Sequence, residues 1–194
     1  MKKIFLALTP FLLAASMAQA TTVVYTVLLS GPNESPANAS PGTGNGTVTI
    51  NDVLFTMAVN FTFAGLTGTT TAAHIHAATA VAFTGTAGVA TTTPSFAGFP
   101  LGVTSGAYNS GALDMTNASS YNPAYVTANG GTPATAFTAL KTAAANGQAY
   151  LNIHTSTFGG GEIRGFLTPV PEPTSLGLLG LGSCALGLVR RRRK

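Results

Sequence analysis

The stretch "AYLNIHTSTFGGGEIRGFL", Ala149–Leu167, decides the fold class. Its first part alternates. Leu151 and Ile153 fall on one face of an extended chain, and Tyr150, Asn152 and His154 on the other, because successive strand side chains point to opposite sides. Its last part, "GEIRGFL", alternates too, with Ile163 and Leu167 on one face and Glu162, Arg164 and Phe166 on the other. The run "STFGGG" between them is a glycine turn. Two alternating runs around such a turn read as antiparallel strands with one face toward a core.

Moving outward, the same period recurs. "VVYTVLLS" (Val23–Ser30) reads as a first strand, followed by the loop "GPNESPANASPGTGNG". "TVTI" passes through Asn51-Asp52 into "LFTMAVNFTF", where Leu54, Met57, Val59, Phe61 and Phe63 largely alternate, as in a hairpin with a two-residue turn. Residues 77–106 are small and glycine-rich, and read as loop with one or two short strands. "TPATAFTALKTAAANGQ" differs: Phe137, Leu140 and Ala144 follow a helical period, and Asn146-Gly147 ends the run as a C-cap would. The expected fold is all-β, an antiparallel sandwich of Greek-key or immunoglobulin-like form with one short helix. Its expected core contains Val27, Leu29, Val59, Phe61, Ile75, Leu151, Ile153, Ile163 and Leu167.

The two ends carry a different message. Lys2 and Lys3 precede an apolar run, and Ala18-Gln19-Ala20 has the form of a signal peptidase site, so residues 1–20 read as a signal peptide cut after Ala20. At the other end Pro171, Glu172 and Pro173 precede an apolar run, Leu176–Val189, and then five cations, Arg190–Lys194. As a helix that run spans roughly 21 Å at 1.5 Å per residue, a short membrane crossing. The cations would hold its end in the cytoplasm.

Seven of the nine Lys and Arg lie in these two segments. The domain between them keeps Lys141 and Arg164 against Glu34, Asp52, Asp114 and Glu162, a net charge of about −2. The sequence pI of about 9.5 therefore says nothing of nucleic acid, which needs a basic patch on the folded domain. The one cysteine, Cys184, is in the tail, so the domain has no disulfide of its own. Thr supplies 30 residues, which makes the surface polar through hydroxyls and favours strands.

The chemistry-bearing residues are few. All three histidines lie in "TAAHIHAATA" (Thr71–Ala80) and "YLNIHT". In a strand His74 and His76 share a face, with Cα atoms roughly 6.6 Å apart. Imidazole suits zinc and copper. His74, His76 and His154 would supply three nitrogens to a single Zn or Cu ion, with Glu162 giving an oxygen or a supporting contact. Affinity for that ion is expected to fall as pH drops through the imidazole pKa of about 6.5. The alternative is a metal-free network in which His154 or His76 bonds to Glu162 or to a backbone carbonyl, and Arg164 pairs with Glu162. Tyr108, Tyr121 and Tyr125 are either core anchors beneath a long loop or a stacking surface for sugars.

"AAHIHAA", "AYLNIHT", "GEIRGFL" and the early "LSGPNESP" together resemble the hallmark segments of the CHRD (chordin-type) domain of secreted proteins. The resemblance covers about Val23 to Thr168. It implies a β-sandwich and brings no catalytic activity with it. The tail resembles the PEP-CTERM sorting signal of bacterial surface proteins, which implies processing by an exosortase near Pro-Glu-Pro. The expected organisation is signal peptide 1–20, domain 21–168 and sorting signal 169–194. The chain is then secreted to the bacterial surface or extracellular matrix after transient membrane insertion of its tail, with signal peptidase and exosortase as processing partners. Three functions remain open: a non-catalytic structural or interaction module, a binding module for a metal ion or extracellular polysaccharide, and a metal-dependent oxidoreductase. Four acids leave little for acid–base catalysis, so the chain is expected not to be an enzyme.

Overall fold

The computed structural model describes residues 22–171. Ala20, Glu172, Pro173 and the tail that follows lie outside them. The described chain runs β1 (Thr22–Ser30), β2 (Thr43–Asn51), β3 (Thr56–Ala64), β4 (Thr70–His76), β5 (Gly106–Asp114), α1 (Pro123–Ala128), α2 (Pro133–Ala145), β6 (Tyr150–Thr155), β7 (Ile163–Phe166) and β8 (Thr168–Pro169). Seven strands form one antiparallel path in the order β4-β6-β7-β1-β2-β3-β5, with β8 paired to β1. The sheet curls around a single core.

That core is the alternating set. Val27, Leu29, Val59, Phe61, Ile75, Leu151, Ile153, Ile163 and Leu167 are all buried, as their period requires. Against the β3 and β5 side of the sheet Phe61, Phe63, Phe96, Phe99 and Tyr108 pack ring to ring, with centroids 5.6–6.2 Å apart. The tyrosines are core anchors: Tyr108, Tyr121 and Tyr125 are buried, and the Tyr121 hydroxyl donates to Met115 O at 2.9 Å.

α2 forms where the helical period lies. Thr132 caps it, accepting from Thr135 N and closing a reciprocal box with the Thr135 hydroxyl, and Pro133 takes the first-turn position where its missing N–H costs nothing. Gly147, at φ +67, turns the chain out of the helix end.

Three local features depart from expectation. The β2–β3 connection is a four-residue turn, 52–55, so Leu54 belongs to the turn and points outward. A second helix, α1, is present, started by Asn122 accepting from Ala124 N and by Pro123. Residues 106–114 form a full strand, β5, at the edge of the sheet. Among the described residues no helix is long and apolar enough to cross a membrane.

Candidate metal centre

β4 and β6 pair antiparallel, with His76 opposite Tyr150, His74 opposite Asn152 and Ala72 opposite His154. Alternation sends Ile75, Leu151 and Ile153 into the core and the three histidines to the other side. Ala72 carries only a methyl group, so the His154 ring can lie over it toward His74. The ring centroids of His74 and His76 are 4.7 Å apart, of His74 and His154 4.6 Å, and of His76 and His154 5.8 Å. The two histidine stretches therefore meet at one spot.

That face is polar but not open. His74 is 6 % and His76 8 % exposed. The loop between β4 and β5 folds over them and bonds to the outer edge of β4: Ala90 N donates to Ile75 O, Phe96 N to Ala73 O, and Ile75 N to the Thr91 hydroxyl. This loop stands where a neighbouring strand would.

This loop fixes the imidazoles of His74 and His76, and the β6–β7 turn fixes that of His154. His74 Nδ1 lies 3.3 Å from Pro94 O, His76 Nδ1 2.8 Å from Ala87 O, and His154 Nδ1 2.9 Å from Gly159 O. A carbonyl can only accept, so each Nδ1 carries the proton and donates, and each Nε2 keeps a free lone pair. All three Nε2 atoms are buried and without a hydrogen-bond partner. A backbone carbonyl on the far nitrogen is how metal-binding histidines are commonly oriented. One ligand atom from each ring can be chosen so that all lie within 4.8 Å of one another. Around one zinc, nitrogens at about 2.0–2.1 Å would stand roughly 3.4 Å apart, so small ring shifts would close the set.

The electrostatics agree. Burial pushes His74 down to about 3, helped by His76 and His154 and opposed by the Pro94 carbonyl. Burial brings His76 to about 4; the Ala87 carbonyl opposes it, while His154 and Arg164 add to it. Burial also lowers His154, against the Gly159 carbonyl. The cluster thus rests as three neutral imidazoles, the form that ligates.

Glu162 is not in this cluster. It precedes β7, and Gly161 before it sits at φ +130, so strand alternation does not extend back to residue 162. Its carboxylate lies on the side of Thr155, which shares the core face with Leu151 and Ile153. There it accepts from Ser40 Oγ (2.6 Å), Thr155 Oγ1 (2.6 Å), Thr67 N and Gly68 N (3.1 Å). Burial raises its carboxyl, but these four donors outweigh that and hold it below the usual range. Glu162 ties the β6–β7 hairpin to the loop before β2 and to the start of β4.

Of the expected hydrogen-bond network, the backbone-carbonyl contacts of His76 and His154 are present, and those to Glu162 are not. Arg164 pairs with Glu34, Nε to Oε2 at 3.8 Å, not with Glu162. Arg164 also donates to Asn33 O and Gly85 O, and its guanidinium lies 4.7 Å above the Tyr150 ring. Tyr150 in turn stacks on His76, at 4.7 Å and 3°. Glu34 is buried, which raises its carboxyl to about 7 although Arg164 pulls it down. Sequence reasoning named Arg164 and Tyr150 but missed Glu34 as the partner of Arg164, the stacking of Tyr150 on His76, and which carbonyls, those of Ala87, Pro94 and Gly159, meet the rings.

Residues 169–194 match the PEP-CTERM protein-sorting motif, which implies secretion, surface sorting and processing by an exosortase. No curated protein and no solved structure matches the chain. The segments that build the core and the histidine cluster lie within residues 25–167, which match the CHRD domain, and the chain belongs to that family.

Proposed function

We propose that this chain is a surface-sorted, non-catalytic module that binds one transition-metal ion, zinc or copper, through Nε2 of His74, His76 and His154. The observation that carries the reading is the set of three buried, unpartnered Nε2 atoms whose Nδ1 partners are already bound to backbone carbonyls. A purely structural histidine would use both nitrogens, or leave one in water, because a buried unsatisfied polar atom costs about 1–3 kcal/mol. Three of them facing each other are explained by one shared cation.

Burial of His74 and His76 suits an ion better than a polysaccharide chain, which needs an open face. Holding the ion fits the surroundings better than turnover does. Glu162 is fully engaged with four donors, and Glu34 is packed beneath Arg164. The three imidazoles leave a fourth position on the ion, which a water molecule would fill.

The test is calorimetric titration of the purified chain with Zn(II) and with Cu(II). One ion per chain is expected, with binding lost in His76→Ala while the far-UV spectrum stays that of a β protein. Equal uptake by both proteins would show that the histidines serve the fold alone.

A further inference from the structure

The β2–β3 turn is built with its apolar residues outward. Val53 is 57 % exposed, Leu54 68 % and Phe55 38 %. Turn apices are ordinarily Gly, Asn, Asp or Ser, and here a rigid frame holds the apolar ones in place. Asn51 Oδ1 accepts from Val53 N (3.1 Å) and Leu54 N (2.8 Å), and Asn51 Nδ2 donates to Thr22 Oγ1 at 2.8 Å. Phe55 O accepts from Met115 N at 2.8 Å, and the Phe55 ring packs on Phe137 at 5.4 Å.

Both ends of the described chain come to this apex. Thr22 pairs with Asn51 at the start of β1. β8 runs antiparallel to β1, and Val170 N donates to Val24 O at 2.8 Å, so the chain leaves toward the same end. Val170 is itself exposed. Lys141, one of the two cations of the domain, sits beside the turn against Asp52 at 3.4 Å. From Pro171 five residues lead to the apolar run that begins at Leu176 and ends in Arg190–Lys194. Even fully extended they reach only about 17 Å.

We propose that the Val53-Leu54-Phe55 apex is a membrane-contact tip that dips into the outer surface of the bilayer while the C-terminal tail is still attached. The occupant is the lipid surface, because the run that follows Pro171 has the composition of a membrane segment and its tether is too short to let this end of the domain stand far away. The tip fixes the domain's orientation and so presents the segment around Pro171 at the headgroup level, next to the start of the apolar run. This inference is independent of the metal reading.

The experiment places the methyl-labelled chain from Thr21 to Lys194, its tail attached, in nanodiscs of phosphatidylcholine and phosphatidylglycerol carrying a nitroxide lipid labelled in the acyl chain. The methyl signals of Val53 and Leu54 should lose more than half their intensity. Those of Leu101 should not: it is equally exposed, at 56 %, but lies by Thr70, toward the far end of β3. The separation along that strand is about 30 Å. Leu54→Ser, at an exposed position that leaves the core untouched, should restore the Val53 signal. Equal broadening of Val53 and Leu101, no broadening at the apex, or a chain that fails to stay on the disc would each overturn the proposal.

Discussion

Metal affinity should be nearly indifferent to acid down to about pH 5, and this separates a buried site from an ordinary one. Three solvent-exposed histidines with pKa values of about 6.5 would each be about ten parts protonated to one at pH 5.5, and an ion would displace three protons. Relative to pH 7.5 that costs roughly a thousandfold in affinity, or about 4 kcal/mol. Here burial lowers His74 to about 3 and His76 to about 4 in the folded chain. At pH 5.5 the protonated fraction of either is then no more than about 5 %, and neither ring has a proton to give up. The sign follows: a depressed pKa leaves the ligating form intact as pH falls through 6.5, and affinity declines only as pH approaches the folded-state values. Calorimetry with Zn(II) at pH 7.5, 6.5 and 5.5 should show a loss of less than about tenfold, most of it from His154, whose pKa is lowered as well. A thousandfold loss would mean that the rings are open to water and that the loop from Ala87 to Pro94 does not cover them. The expectation drawn from sequence, a fall through 6.5, rested on unburied imidazoles.

Other consequences follow from the same contacts. With zinc at a hundredfold excess over Kd, denaturant unfolding at pH 7.5 should show about 2.7 kcal/mol of added stability, removed by a chelator. In the metal-free chain, stability should fall below pH 6.5, because the unfolded histidines take up protons that His74 and His76 refuse. Glu34 acts in the opposite sense, since its folded pKa of about 7 stabilises the fold in acid and that stability is lost as pH rises through 7. Glu34→Gln should therefore steepen the loss in acid, and a denaturation series from pH 8 to 5 that leaves the two proteins parallel would refute this. Glu162→Gln should cost about 2–4 kcal/mol, because an amide replaces one accepting oxygen with an N–H that faces donors; an unchanged midpoint would show that Glu162 does not tie the hairpin to the loops. Leu151→Ala or Ile153→Ala, both fully buried, should cost about 2–5 kcal/mol in the same assay. Mass spectrometry of the protein from its native cell surface should find a chain from about Thr21 to the Pro171–Pro173 region; a retained Arg190–Lys194 end would mean a plain anchor.

What could be seen in the sequence was what burial writes into a two-residue period. β1, β3 and β6 each place two or more large apolar residues on one face, β7 adds Ile163 with Leu167 just beyond it, and every core residue they predict is buried. β5 left no such trace, because it is an edge strand with Tyr108 as its one buried residue and with Gly111 and Asn109 within it. α1 is too short for a helical period and is set by its Asn122 cap. At the site, alternation was enough to put His74, His76 and His154 on one face, since all three lie inside regular strands. It failed for Glu162 because that residue stands one position before its strand, behind a glycine at positive φ. It allowed a backbone carbonyl as a partner for His76 or His154 but could not say that all three rings donate from Nδ1 to carbonyls, or that these belong to Ala87, Pro94 and Gly159. Backbone acceptors carry no residue type, and nothing in a small, glycine-rich loop distinguishes a cover over a histidine cluster from a connection in solvent. The proposal of a bound ion rests on a physical constraint that only the fold exposes: two carbonyls of this loop and one of the β6–β7 turn consume one nitrogen of each ring, and the three remaining lone pairs are buried together without a hydrogen-bond partner among the described residues.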